Sequence, residues 1–279
     1  MRNLTFIGDI HSAAADLTAL LADPVIAASQ IVFLGDYIDG LSERKFTNHI
    51  EHCSVEPLRT LAIIRNRVMN HHDVALLGNH DDFWVQTAMK NDHDFRMWAA
   101  NGGQATWPEL GIEQSDLISV ARALNQPPLQ EYTDFLSQLP LTWQNETIFA
   151  VHAGLHWHDN LKQQSRDDLI WIRDDYYFAD GQRPSTWHTN DLGKVLVTGH
   201  TPVQTLVGCG YGYLEMKASI HDVPRYLIDS GSRSGAYDGG IFALTLTPTG
   251  TEVQLKRAIK EKLYDGNQFI TEAEVADQY

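Results

Sequence analysis

The chain's 279 residues, 43% hydrophobic and 20% charged, suffice to bury a large core in one domain or two. A formal net charge of −15 gains nothing near a phosphate backbone, which argues against a nucleic-acid duplex as partner, although a local pair of divalent cations could still attract one phosphate. No apolar run approaches the roughly 20 residues that span a bilayer, and two cysteines without C-x-x-C spacing, Cys53 and Cys209, read as ordinary thiols of a reducing compartment.

Strand-like Leu4-Thr5-Phe6-Ile7 begins almost at Met1 and leaves no room for a signal peptide, so a cytoplasmic protein without a membrane partner is expected. Residues 3–9 alternate and end in Gly8-Asp9, which predicts the first strand. Ser12 is placed to cap a helix running to about Leu21, ended by Asp23-Pro24. Residues 31–34 predict a second strand closing on Gly35-Asp36. A polar loop follows, then a helix from about Val55 to Met69. Residues 73–77 predict a third strand closing on Gly78-Asn79. This rhythm implies a parallel sheet with helices between its strands. Residues 81–140 are polar and helix-rich, punctuated by Gly102-Gly103, Pro108, Pro127-Pro128 and Pro140. They predict a helical insertion packed over one side of the sheet. Residues 142–143 and 147–151 read as a strand pair around a tight turn at Asn145-Glu146. Further strands are predicted at 195–197, 212–216, 225–228 and 241–246, with a last one near 252–255. The final stretch of about 15 residues is polar and is expected to be loose. No linker divides the chain, so residues 1–279 are predicted to form a single domain.

Five motifs punctuate these strands: Gly8-Asp9-Ile10-His11, Gly35-Asp36-Tyr37-Ile38-Asp39, Gly78-Asn79-His80-Asp81, Val151-His152-Ala153-Gly154 and Gly199-His200-Thr201-Pro202. Each follows a hydrophobic run, where strands of an α/β sheet end and ligand sites form. Asp9 and His11 leave the first strand together and can turn toward one metal. Asp36 has two oxygens and could bridge two metals. Asn79 offers an amide oxygen, and His152 and His200 offer imidazole nitrogens. Oxygen and imidazole donors suit Mn²⁺, Fe or Zn²⁺ better than Ca²⁺. Two-metal sites hold their ions roughly 3.5–4 Å apart and clamp attacking and leaving oxygens alike.

Taken singly, these residues have blander readings. An Asp after a strand can cap the next helix, and a His in apolar surroundings is usually structural. Neither reading explains three histidines that each follow a strand in a glycine-flanked motif. His71-His72 read as a helix end, where a cation meets the negative dipole. His156 and His158 read as residues of the site's mouth or of the surface. Asp167-Asp168 and Asp174-Asp175 read as solvated or capping carboxylates, and Trp84, Trp98 and Trp107 as packing of the insertion.

The ordered string resembles the calcineurin-like metallophosphoesterases, and within them the bacterial phosphoprotein-phosphatase type of serine/threonine phosphatase. That type carries GD-x-HG, GD-x-x-DRG, GNH-[ED], HGG and GH-T; this chain has GDIHS, GDYIDG, GNHD, HAG and GHT across residues of about 5 to 245. The resemblance implies a four-layer α/β/β/α sandwich with two mixed sheets, the helical insertion walling one side of the site. It implies two divalent ions, manganese first, with iron or zinc as alternatives. Asp9, His11 and the bridging Asp36 would bind one ion, and Asn79, His152 and His200 the second. His80 would act as general acid with Asp39 as its hydrogen-bond partner. Arg173, in Leu169-Ile170-Trp171-Ile172-Arg173-Asp174, would hold phosphate oxygens.

Three positions depart from the pattern. Gly40 stands where the second phosphate-holding arginine belongs, with Arg44 as candidate replacement; Ser12 and Ala153 replace glycines. The segment Ile228-Asp229-Ser230-Gly231-Ser232 resembles the IDTGA-like stretch of bacterial members. The implied activity is metal-dependent hydrolysis of a phosphomonoester, with a phosphorylated protein as first substrate class. Dinucleoside polyphosphates or other nucleotides form the alternative. A metal-binding regulatory module without turnover is the alternative of a different kind. The sequence leaves the oligomeric state open.

Overall fold

The computed structural model describes residues 2–157 and 160–276 and places two mixed sheets face to face. In the larger sheet β1 (Leu4–Ile7), β2 (Gln30–Phe33) and β5 (Val74–Ala75) run parallel. On the other flank of β1 follow β11 (Ile241–Leu246), β12 (Glu252–Ile259) and β13 (Lys262–Asp265), all antiparallel neighbours. The smaller sheet is built on parallel β7 (Ile148–Val151), β8 (Val195–Thr198) and β10 (Arg225–Leu227). Its edges are β6 (Thr142–Gln144) and β9 (Leu214–Met216), each antiparallel to its neighbour. The predicted polar loop carries a hairpin of β3 (Glu43–Lys45) and β4 (Ile50–His52).

The period of two along each strand sorts side chains into layers. Leu4, Phe6, Val32, Ile148, Ala150, Val197 and Phe242 meet between the sheets. Ile7, Ile31 and Phe33 face the helices, against Leu17 and Leu20 of α1 (Ala14–Leu21) and Leu61 and Ile64 of α3 (Pro57–His71). Phe149, Val151 and Leu196 face outward under Leu169 and Ile170 of α9 (Arg166–Trp171) and Tyr176 of α10 (Asp174–Tyr177). The result is the expected α/β/β/α layering. Each such Leu or Phe, fully buried, stabilises the fold by roughly 1.5–3 kcal/mol.

The insertion begins two positions earlier than predicted, because Asn79 and His80 already lie in the first turn of α4 (Asn79–Ala88). It continues through α5 (Asp92–Trp98), a kinked turn (Ala99–Gly103), α6 (Gln104–Glu109), α7 (Leu117–Leu124) and α8 (Gln130–Ser137). Trp84, Trp98 and Trp107 are buried in it. A short α11 (Gln204–Val207) follows the last motif. Among the described residues no helix is long and apolar enough to cross a membrane, and Cys53 and Cys209 are free thiols.

Three local expectations are corrected. Ser12 does not cap α1: its φ is 60°, and its buried hydroxyl has no hydrogen-bond partner. Asp23 does more than end α1, since its carboxylate accepts from Val25 and Ile26 and starts α2 (Pro24–Ala28). The last stretch is anchored where described: α12 (Glu272–Val275) carries a Thr271–Glu274 capping box, and Ile270 and Val275 pack on Ile259 and Tyr264. Two apolar anchors in a polar segment are a weak sequence signal but enough to dock it.

Candidate metal centre

Parallel strands deliver their following residues to the same sheet edge. Asp9 follows β1, Asp36 follows β2 and Asn79 follows β5; His152 follows β7 and His200 follows β8. Both sheets therefore contribute to one buried cluster. Asp36, His152 and His200 bring one donor atom each within 4.8 Å of one another, as do His11, Asp36 and His80. Asn79 Oδ1 lies 3.0 Å from His152 Nε2 and 2.8 Å from His200 Nδ1. His11 Nε2 lies 4.0 Å from Asp9 and 3.8 Å from Asp36. Glycine before the ligand is a packing requirement: a Cβ on Gly78 would collide with the Asp36 carboxylate, and one on Gly199 with that of Asp9. His11, Asp36, Asp39 and His200 all have φ between 48° and 70°. Such left-handed backbone costs on the order of 1–3 kcal/mol per residue and concentrates at functional sites.

The donor chemistry fits divalent ions. Each histidine turns one ring nitrogen to a backbone carbonyl: His11 Nδ1 to Ile38 at 3.0 Å, His152 Nδ1 to Leu34 at 2.9 Å, His200 Nε2 to Trp171 at 3.2 Å. These carbonyls select the tautomer whose other nitrogen presents a lone pair, the usual support of a metal-bound imidazole. In His152 and His200 that nitrogen faces Asn79 Oδ1, an arrangement of acceptors that a cation resolves. Burial opposes ionisation of Asp36, yet the rings of His152, His80 and His11 hold its carboxyl well below the usual range. Burial and the Asp229 carboxylate push Asp9 well above it. Burial works against a charged His152, but Asp36 and Asp9 raise its pKa to about 9. An ion bound at this cluster would compete for the field that holds that proton and would release it. Burial, then the rings of its neighbours, lowers His200 and His11.

His80 sits beside the cluster but is engaged differently. Its Nδ1 is 2.6 Å from Asp39 Oδ2, and Asp39 is buried. Burial disfavours the His80 cation, and Asp36 and Asp39 outweigh it, raising the pKa to about 9. Asp39 also accepts from Trp98 Nε1, at 3.0 Å to both oxygens, and from Thr106 Oγ1. Asp81 accepts from the backbone N–H groups of Asp36, Tyr37 and Gly78 at 2.8, 3.0 and 3.1 Å, tying the β2 loop to the start of α4.

A cavity of about 310 Å³ opens beside His11 and His80, walled by Gly40, Leu41, Gly102, Asp229 and Arg233 among others. Arg173 is exposed and donates to Thr201 Oγ1 at 2.9 Å and to the carbonyl of His200 at 3.3 Å, which sets it against the second group. Arg44 does not replace the missing arginine in this cavity: it is buried, with its guanidinium on the Tyr237 carbonyl 2.5 Å away. Instead Arg233 covers Gly40, its guanidinium bound to the Ser54 carbonyl and to Asp16. His156 lines a separate hollow with Trp157 and His188, away from His80; His158 lies outside the described residues. Four residues near the cluster had no part in the predicted site, Trp98 being read only as packing of the insertion. Asp229 carried a legible signal, since it ends a hydrophobic strand as Asp9 and Asp36 do. Asp81 was quoted in a motif without a role. Trp98 and Thr106 carried no local signal, because only the tertiary fold aims them at Asp39.

Two mixed sheets between helical layers, with oxygen and imidazole donors gathered at parallel strand ends, define a metal-dependent hydrolase of phosphoric esters. Residues 2–227 match the calcineurin-like phosphoesterase family, and the chain belongs to it. It is a metallophosphoesterase, of a family that works with a binuclear divalent-metal centre. Among solved structures it is similar to a candidate diadenosine tetraphosphatase, at 17% identity over 93% of this chain and 95% of that one, with a TM-score of 0.58. It is also similar to a hypothetical protein from Pyrococcus horikoshii, at 12% identity over 94% and 90% of the two chains, TM-score 0.51. A protein serine/threonine phosphatase from Saccharomyces cerevisiae, with similarity to human phosphatase PP5, matches at 14% identity over 94% and 78%, TM-score 0.47. At these identities the first two likenesses show the fold alone. No curated protein matches the chain.

Proposed function

We propose that the chain hydrolyses phosphomonoesters, with serine, threonine or tyrosine phosphate of a protein as the leading substrate class. Asp9, His11 and Asp36 would hold one divalent ion; Asn79, His152 and His200 would hold the other, with Asp36 shared. Two ions held there would supply an acidified water and charge neutralisation at the phosphoryl oxygens. His80 donates a proton to the leaving oxygen from the nitrogen opposite Asp39, and Asp39 keeps the ring oriented. Arg173, beside His200, binds phosphate oxygens through its planar guanidinium. The observation that carries this reading is the 2.6 Å His80–Asp39 pair abutting the ligand cluster, because a metal-binding module without turnover has no use for an acid there. The reading treats residues 1–279 as one catalytic unit and manganese as the first metal to load.

Charge favours a protein phosphate over a dinucleoside polyphosphate, which brings several negative charges. Arg173 shares its surface hollow with Asp167, Asp168, Asp174 and Asp175, only one of which is answered there by Arg183, and Arg233 is engaged by Asp16. The structure described as a candidate diadenosine tetraphosphatase supplies the competing substrate. Manganese-loaded protein is expected to release phosphate from a phosphoserine peptide in preference to cleaving diadenosine tetraphosphate. Cleavage of the dinucleotide with no turnover of phosphopeptides reverses the choice.

A further inference from the structure

Asp39 receives three side-chain donors: His80 from the first turn of α4, and Trp98 and Thr106 from further along the helical insertion. Trp98 Nε1 lies 3.0 Å from each carboxylate oxygen, Thr106 Oγ1 donates to Oδ1, and His80 Nδ1 takes Oδ2. Along an unbroken helix residues 98 and 106 would lie about 12 Å apart and could not share one carboxylate. The kink at Ala99–Gly103 between them breaks that spacing, with Asn101 and Gly102 outside helical φ/ψ. Gly102 has a φ of 125°, and a Cβ there would meet Asp39 Cβ at 3.0 Å, so the kink is pressed onto Asp39 itself. Asp39 in turn has a φ of 64°, so its carboxylate is held by these partners rather than by relaxed backbone. Packing alone would be met by any aromatic at 98 and any β-branched residue at 106; it does not require two donors aimed at one carboxylate. The same segment lines the cavity beside His80 through Ala100, Asn101, Gly102 and Ala105.

We infer that Trp98 and Thr106 are positioning residues: they fix Asp39, and through it the aim of His80. The kinked segment between them joins the shape of the leaving-group cavity to proton delivery. The inference rests on the reading of His80 as the acid. Proton delivery matters most for poor leaving groups, so the test compares a phosphoserine peptide with 2,4-dinitrophenyl phosphate on manganese-loaded protein. Thr106→Val and Trp98→Phe remove one donor each and keep most of the shape. Each is expected to lower phosphoserine turnover about tenfold and to leave dinitrophenyl phosphate within about twofold, with metal content unchanged. Thr106→Ser, which keeps the hydroxyl, is expected to restore the rate. Equal losses on both substrates, or no loss on either, overturn the inference. His80→Asn run alongside separates the two levels. A leaving-group split in His80→Asn without one in Thr106→Val and Trp98→Phe overturns the positioning role alone. No split in His80→Asn removes the acid reading and this inference with it.

Discussion

Asp36 and His80 are neighbours in space, with the His80 N–H 3.0 Å from Asp36 Oδ1, yet the chemistry proposed for them is opposite. Asp36 presents charge to both donor groups, whereas His80 has one nitrogen committed to Asp39. The two substitutions should therefore separate. Asp36→Asn is expected to lower metal content and abolish turnover together, read by elemental analysis and a phosphatase assay. His80→Asn is expected to keep its metal and lose about 10²–10⁴ in rate on alkyl phosphates. A metal-free His80→Asn protein would make His80 a ligand instead. The histidines of the motifs were legible as a set because each closes a hydrophobic run. Trp98 and Thr106 were not, because nothing in their own neighbourhood distinguishes a hydrogen-bonded core residue from a packed one.

At the level of elements, the loop after β2 explains the missing arginine. Gly40 has a φ of 119°, and a Cβ there would stand 2.6 Å from Arg233 Cβ and 2.8 Å from the His11 carbonyl. Arg233 comes from the loop before β11 and is pinned on α1 through Asp16, so two distant loops share the space that a side chain at 40 would need. Restoring the family's arginine is expected to harm the protein: Gly40→Arg should destabilise it by about 2 kcal/mol or more in urea unfolding, without a gain in turnover. A stable, more active Gly40→Arg protein would show that the Arg233 loop yields easily. The insertion and most strands were readable from period and punctuation; β3 and β4, in the predicted polar loop, and β13, beyond the last predicted strand, were not. Ser12 was misread as a cap because the spacing of a cap does not reveal its φ, and here the chain turns left-handed to deliver His11.

For the molecule as a whole, the cluster is a junction between sheets. Asp9, Asp36 and Asn79 belong to the larger sheet, His152 and His200 to the smaller one, and the layer of Phe6, Val32, Ala150 and Val197 lies between the sheets. Ions that bind only when the sheets are docked must stabilise the docking. At about 100 times the dissociation constant, manganese is expected to add about 2.7 kcal/mol. Chelation should lower the melting temperature and re-addition restore it, an effect that Asp36→Asn should blunt. An unchanged melting temperature would mean that the ligands do not bridge the two sheets.

The sequence by itself determined most strands and the parallel rhythm, because hydrophobic period and the residue that ends each strand are local properties, and the reaction class through the family that its ordered motifs resemble. Only the tertiary structure decided which arginine covers Gly40, which side chains hold Asp39, and that the final segment docks through Ile270 and Val275. Those contacts join residues tens to hundreds of positions apart. No local pattern records them, since burial and aim arise only when the layers close.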